Sequence, residues 1–301
     1  MTDDAVMDRP VADIAIDEDL VARLIEAQHP DLAGPLTLVG NGWDNTLYRL
    51  GDDLCVRLPR RRVAAELILN EQRWLPVLAG RLHIPVPVPV RVGVPTDWYP
   101  WPWSITRWRA GRPASDLPPH ERGGLVADLA RFMADLHVPA PGDAPHNPVR
   151  GVPLSSRTRA VYERLASGAI PHAERLRTLW DRLVTVPGWA GPPLWLHGDP
   201  HPANLLVEHG RLAAVIDFGD LTAGDPATDL AAAWLVFDAE DRRAFRARLD
   251  ERSGSTYDAD TWDRARGWAL NMGTAVLLHE AEHPRMAGVG RHTIDQVLRE
   301  T

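Results

Sequence analysis

The feature that most restricts the fold is a change of hydrophobic period along the chain. After an acidic lead-in, Asp17 to Gln28 carries Leu20, Val21, Leu24 and Ile25 at helical spacing, with Asp and Glu in its first turn. Three short β-like runs come next, Pro35 to Val39, Thr46 to Leu50 and Leu54 to Leu58, parted by Gly40-Asn41-Gly42-Trp43-Asp44-Asn45 and by Gly51-Asp52-Asp53. Glycine with asparagine or aspartate between apolar runs is hairpin punctuation, so these runs form an antiparallel meander. Val63 to Leu78 returns to helical spacing, and Val86 to Val92 and Trp103 to Trp108 read as two more strands. Arg109 to Pro113 reads as a linker.

Beyond the linker the pattern is helical: Glu121 to His137, Ser156 to Leu165, His172 to Val184, Ala227 to Phe237, Asp241 to Arg248 and Thr261 to Glu282. One β island interrupts it, made of Leu194 to Leu196, Leu205 to Glu208 and Leu212 to Ile216. Pro139 to Pro153 is a proline-rich loop without periodicity. The expectation is an α+β chain, with an antiparallel sheet and one main helix in residues 1–108 and a larger, mainly helical part in 109–301.

Composition sharpens the chemistry. All 33 basic residues among the 301 are arginine, because the sequence contains no lysine. That excludes Schiff-base chemistry on an internal lysine, pyridoxal phosphate bound as an aldimine, and a Walker A loop. A net charge of −8 argues against a nucleic-acid binder and fits attraction of cationic partners. Cys55 is the only cysteine, so neither an internal disulfide nor a cysteine-based metal centre is available. The start, MTDDAVMDRP, is acidic where a secretory signal is basic, and no run of 18 apolar residues occurs. A cytoplasmic protein without a membrane partner is expected.

The unusual residues collect on the β island. Asp199 and Asn204, in His197-Gly198-Asp199-Pro200-His201-Pro202-Ala203-Asn204, have the D-x-x-x-x-N spacing of a kinase catalytic loop. Asp217-Phe218-Gly219 comes a hairpin later and is a literal D-F-G. Phosphoryl transfer explains these types. One carboxylate orients the acceptor hydroxyl and takes its proton, while a second carboxylate and an amide oxygen hold Mg2+ on the phosphates. Asp199 is the candidate base, and Asn204 and Asp217 are the candidate magnesium ligands. Asp and Asn beside Gly and Pro also make ordinary turns, and it is the two fragments in order that favour the chemistry.

Together with Ile216-Asp217-Phe218-Gly219-Asp220 and Gly224-Asp225-Pro226-Ala227-Thr228-Asp229-Leu230-Ala231, the catalytic-loop motif resembles the aminoglycoside phosphotransferase family of small-molecule kinases. The resemblance covers nearly the whole chain. It implies a protein-kinase-like bilobal fold, ATP or GTP as co-substrate with two magnesium ions, and a small-molecule hydroxyl as acceptor. Gly198 stands where protein kinases carry arginine, so no basic residue is there to receive an activation-loop phosphate. Asp220 resembles the second acid of the family's I-D-x-x-D motif. Asp229 is expected to cap backbone amides or tie down the catalytic loop, and His197 and His201 to shape it.

The resemblance also assigns the N-terminal sheet to the nucleotide. Gly42, Asn45 and Thr46 occupy the phosphate-covering turn, although it lacks G-x-G-x-x-G and a plain hairpin would look the same. In a kinase the third strand supplies a lysine paired with a helix glutamate; here the basic residue inside that strand is Arg57, with Glu71 as its partner and Glu66 as the alternative. Ile105 to Arg109, with Arg107 and Trp108, would pass the nucleobase. Trp98, Trp101, Trp103 and Trp108 crowd this region and read mostly as packing residues.

The acceptor leaves the faintest mark on the sequence. An aminoglycoside or related antibiotic leads, with a metabolic alcohol such as a sugar, amino alcohol or homoserine behind it. Asp238, Glu240, Asp241, Glu280 and Glu282 are candidates to bind an amine, although charged helix faces are usually only solvated. A catalytically silent nucleotide-binding pseudokinase is the rival of a different class. It is disfavoured because base and both metal ligands are present.

Overall fold

The computed structural model describes residues 11–254, 256–278 and 284–300. Two compact units divide the chain: Met1–Gly80 with Val86–Arg109, and Arg81–Pro85 with Ala110–Thr301. The first is built on an antiparallel sheet and the second is mainly helical.

In the first unit, helix α1 (Glu18–Gln28) starts at Asp17, whose carboxylate accepts the Leu20 N–H at 2.8 Å and satisfies one exposed donor of the first turn. Strands β1 (Leu36–Asn41), β2 (Asn45–Leu50) and β3 (Leu54–Pro59) form the meander. After helix α2 (Arg62–Ala79), strands β4 (Pro89–Gly93) and β5 (Trp103–Arg107) complete a sheet ordered β1-β2-β3-β5-β4. The period of two along β3 sets the direction of its one cation. Val56 and Leu58 enter the core with Val21, Leu24 and Ile25 of α1, so Arg57 between them faces the other side, toward α2. On α2 the buried stripe runs Ile68, Glu71, Leu75, Leu78, which carries Glu71 to that face and leaves Glu66 exposed.

Trp101 and Trp103 are core residues, as expected. Trp103 pairs across the ladder with Gly93, and a Cβ at Gly93 would lie 1.9 Å from its ring. The fourth strand begins at Pro89, later than its apolar run, because the preceding segment is engaged elsewhere: Pro85 O accepts the Val215 N–H at 3.1 Å within the second unit.

In the second unit, part of the expected linker is instead strand β6 (Arg112–Pro113), which pairs with β8 (Leu205–Glu208). Helix α3 (Val126–Leu136) starts later than its periodicity suggests, after a 3-10 turn over Gly123–Leu125. A Cβ at Gly124 would lie 2.2 Å from Gly210 O, so the glycine permits close backbone approach there. Helices α4 (Thr158–Ala166) and α5 (Ala173–Leu183) precede β7 (Leu194–Leu196); β9 (Arg211–Val215) pairs with β8, and β10 (Thr222–Gly224), which the sequence pattern does not announce, pairs with β7.

The expected helix from Ala227 to Phe237 is two short ones, α6 (Ala227–Leu230) and α7 (Ala232–Val236), broken at Ala231, to whose carbonyl Trp234 N donates in a tightened turn. Helix α8 (Ala239–Ser253) is capped by Asp238, which accepts the Glu240 and Asp241 amides at 3.0 Å each. Helix α9 (Ala259–Leu277) is succeeded by α10 (Pro284–Arg299), which lies beyond the last expected helix and is not announced by the sequence pattern. Two glycines hide it: Gly288 and Gly290 weaken the helical signal, yet a Cβ at Gly290 would lie 3.0 Å from Gly273 O of α9. Glu280 and Glu282 lie outside the described residues. Among the described residues, no helix is long and apolar enough to cross a membrane.

Candidate active site

Strand alternation and helix spacing in the first unit produce one buried ion pair. Arg57 Nη2 lies 3.0 Å from Glu71 Oε1, with side-chain exposures of 7% and 1%. Two charges so far from water hold each other in place, and loss of either partner leaves the other uncompensated. The turn between β1 and β2 is closed by its own bonds: Gly42 N donates to Asn45 O at 2.7 Å and Thr46 Oγ to Asn41 Oδ1 at 2.7 Å. Asn45 and Thr46 are buried, whereas Gly42 is exposed. Arg60 and Arg61 brace this turn through Gly42 O at 3.0 Å and Asp44 Oδ1 at 2.6 Å. Arg107 ends β5 exposed, while Trp108 gives its amide to Asp53 O at 2.6 Å and lies under the Arg49 guanidinium.

In the second unit the catalytic-loop motif leaves β7 and is tied down from behind by Asp229. Its carboxylate accepts the His197 N–H at 2.7 Å and the Gly198 N–H at 2.8 Å, and also receives His137 Nε2 at 3.1 Å. His197 is fully buried. Its Nε2 donates to Ile216 O at 3.0 Å and its Nδ1 accepts the Asp199 N–H at 3.2 Å, so the ring is held at both nitrogens and braces the loop. Gly198 takes φ 89°, and a Cβ there would lie 2.3 Å from Asp220 O. Glycine is therefore required by the approach of the two motifs, in addition to leaving no cation at that position.

Asp199, presented by this loop, is the centre of a charge network. Arg150 Nη2 lies 3.2 Å from its Oδ1 and His201 Nε2 lies 3.4 Å from its Oδ2. Burial works to raise its pKa, but His201 and Arg150 outweigh that and hold the carboxyl below the usual carboxylate range. Asn204 Nδ2 donates to the Asp199 carbonyl at 2.9 Å. This fixes the amide orientation and leaves Oδ1, a hard oxygen donor, for another ligand.

Asp217 comes after β9 in the left-handed region at φ 62°, a conformation aspartate tolerates better than most residues. The Ile216 N–H before it donates to Asn204 O at 2.9 Å, so the two candidate metal ligands share a backbone connection. One carboxylate plus one amide oxygen, completed by phosphate oxygens and water, suits magnesium, which rarely receives an all-protein cage. Phe218 is buried beside the His197 ring at 4.4 Å, anchoring the D-F-G turn.

Two participants carry no signal in the sequence. Asn147 Nδ2 donates to Asp220 Oδ1 at 2.7 Å, and Arg150 Nε lies 3.2 Å from Asp220 Oδ2 while its other end reaches Asp199. Both come from the proline-rich loop. Burial, together with Asp199 and Asp217, raises the Asp220 pKa against the pull of Arg150 and Asn147. No local pattern announces these contacts, because the loop is held by bonds such as Gly151 N to Thr228 Oγ (3.0 Å) and Asp225 N to Gly151 O (3.0 Å).

A sheet-bearing unit, with a helical unit after it that presents D-x-x-x-x-N and D-F-G in this order, defines a protein-kinase-like phosphotransferase fold. The phosphotransferase enzyme family, APH, matches residues 35–268, and the chain belongs to that family. It is a small-molecule kinase. Among solved structures, the GDP and kanamycin complex of APH(2")-IIia is similar with a TM-score of 0.67 at 20% identity, over 93% of this chain and 99% of that one. The apoenzyme of macrolide 2'-phosphotransferase MphH from Brachybacterium faecium is similar with a TM-score of 0.60 at 22% identity, over 95% and 99%. The ADP-bound aminoglycoside phosphotransferase APH(2'')-Ib gives 0.60 at 16%, over 94% and 99%. No curated protein matches the chain.

Proposed function

We propose that this enzyme transfers the γ-phosphoryl group of ATP or GTP to a hydroxyl of a small molecule, with Asp199 as the base. The observation that carries the reading is the Asp199 carboxylate, kept ionised by Arg150 and His201 at the head of a loop locked by Asp229. An ionised carboxylate there can accept the proton as the hydroxyl oxygen attacks phosphorus and the nucleoside diphosphate departs. Asn204 Oδ1 and Asp217 would hold magnesium, which supplies charge neutralisation on the phosphates when bound. Arg57, oriented by Glu71, would grip the nucleotide phosphates as a two-pronged donor where a lysine would offer one point charge.

The turn with Gly42, Asn45 and Thr46 would cover the phosphates. Arg107 and Trp108 would flank the base, with Trp108 contributing packing because its amide is already engaged. The similar structures hold GDP in one case and ADP in another, which supports a nucleoside triphosphate co-substrate without choosing between ATP and GTP.

For the acceptor, kanamycin in one similar structure and the macrolide activity named for another support trying antibiotics first. One observation favours a metabolic alcohol. Two of the three described acidic candidates are taken up by the fold: Asp238 caps α8, and the Asp241 carboxylate lies where a Cβ at Gly123 would come within 2.9 Å of it. The test is product mass spectrometry with both nucleotides and a panel of aminoglycosides, macrolides and hydroxylated metabolites. A gain of one phosphate mass on any compound that disappears in Asp199→Asn supports the reading. Transfer undiminished in Asp199→Asn removes Asp199 from its role.

A further inference from the structure

One guanidinium in the second unit is placed for a ligand that the fold itself does not provide. Arg157 closes the 3-10 turn Leu154–Arg157 immediately before α4. That turn is seated by Leu154, which packs so closely on α9 that a Cβ at Gly267 would lie 2.4 Å from Leu154 Cδ2. The position of Arg157 is thus set by apolar packing and owes nothing to bonds of its own. Its Nε is buried and unpartnered, and among the described residues its side chain makes no hydrogen bond or ion pair. A buried donor left unpaired is costly, and an exposed arginine would turn to water.

Its surroundings are cationic. Arg150, whose guanidinium touches Asp199 and Asp220, acts on it from one side. Arg164 lies seven residues further along the helix, on the same face, and is fixed to α9 through Asn271 Oδ1 at 2.5 Å and Thr274 Oγ at 3.2 Å. Burial, then Arg150, lowers the Arg157 pKa, and burial, then Arg157 and Arg150, pulls Arg164 down to about 10. Arg150 is paired with Asp199 and Asp220, whereas Arg157 and Arg164 have no ion pair among the described residues, so the two cations beyond Arg150 gain by taking up an anion.

We propose that the acceptor of this phosphotransferase carries an anionic group, a carboxylate or a phosphate monoester, and that Arg157 binds it. The proposal rests on the phosphotransferase reading above for the word acceptor, but the anion site stands on Arg157 and its packing. A compact hydroxy acid or hydroxyalkyl phosphate, with its hydroxyl at Asp199 and its anion beyond Arg150 at Arg157, fits this arrangement. The acid binds without changing its bonding; only the hydroxyl reacts.

The experiment uses the full chain and four probes: D-gluconate, sn-glycerol 3-phosphate, the neutral polyol D-glucitol, and cationic kanamycin. Equilibrium binding is measured by calorimetry, and turnover by nucleoside diphosphate release, for the wild type, Arg157→Gln and Arg157→Lys. Binding of at least one anionic probe at millimolar concentration, with neither D-glucitol nor kanamycin bound, is expected. Arg157→Gln should weaken that binding by about tenfold or more, as loss of a charge-assisted hydrogen bond does, and Arg157→Lys should recover part of it. Gluconate as the better probe assigns the carboxylate, and glycerol 3-phosphate the phosphate.

If a probe is also phosphorylated, its KM should rise in Arg157→Gln while kcat stays within a few-fold. Failure of both anions to bind the wild type overturns the proposal, as does anion binding that Arg157→Gln leaves unchanged while the variant melts like the wild type. Phosphorylation of kanamycin without anion binding sinks this proposal and leaves the phosphotransferase reading intact. Arg157-dependent anion binding by a protein that phosphorylates nothing in any panel does the reverse.

Discussion

Two arginine-carboxylate centres of this enzyme, one in each unit, are built in opposite ways. In the first unit Arg57 and Glu71 are 14 residues apart, on a strand and the helix next in sequence. In the second, Arg150 meets Asp199 across 49 residues and Asp220 across more, from a loop with no regular structure. The first centre is a consequence of two periodicities, two for the strand and 3.6 for the helix, which bring Arg57 and Glu71 to facing stripes. The second exists only because distant segments are bolted together by Asp229, Gly198, Asn147 and Thr228. A locally built pair can be read before the fold is known. A pair closed through tertiary bonds cannot.

The largest effect that can break this comparison is expected at Asp199. Asp199→Asn should lower turnover by about 10²–10⁴-fold while nucleotide affinity changes little, measured by steady-state kinetics beside nucleotide binding. A matching loss of both would mean that the second centre also serves the nucleotide. Next comes Arg57→Ala, which strands the buried Glu71 carboxylate; a destabilisation of about 3–5 kcal/mol in denaturant melts and a raised nucleotide KM are expected. Arg57→Lys should restore charge without the fork, giving stability close to wild type and a partial kinetic recovery, so equal kinetics would show that charge alone suffices.

Gly198→Ala sharpens the other side. The left-handed φ and the clash with Asp220 O predict a loss of about 3 kcal/mol, seen as a lowered melting temperature even with nucleotide absent. Smallest is Arg150→Gln, whose partly exposed site reduces the cost to about 1–2 kcal/mol. Its kinetic signature should fall on kcat, with nucleotide KM unchanged. A nucleotide effect as large as that of Arg57→Ala would erase the distinction between the two centres.

Much of the fold was legible. The meander, the crossing helix, the β island and most helices of the second unit come from spacing, with boundaries shifted by a few residues where caps such as Asp17 and Asp238 take over. What escaped has specific causes. Helix α10 carries glycines that lower its helical signal, one of which, Gly290, is needed for contact with α9; β10 is only Thr222–Gly224, and the start of β4 was displaced because Pro85 serves the second unit. Of the candidate site, Asp199, Asn204 and Asp217 were visible because their spacing within one strand-loop-strand segment is local. Asn147 and Arg150 were invisible because a proline-rich loop has no period to read, and Arg157, inside an expected helix, because its lack of a partner is set by packing elsewhere in the chain.

The sequence by itself determined the chemistry available: no lysine, hence guanidinium wherever a basic side chain meets phosphate, and D-x-x-x-x-N before D-F-G, hence carboxylate and amide oxygens in order. It also determined that Arg57 would face a helix carrying an acid. Only the tertiary structure decided which cations face Asp199 and that, among the described residues, the Arg157 side chain has no hydrogen bond or ion pair. The reason is physical. Periodicity records which way a side chain points from its own element, whereas the charge opposite it depends on the packing of segments far apart in the chain.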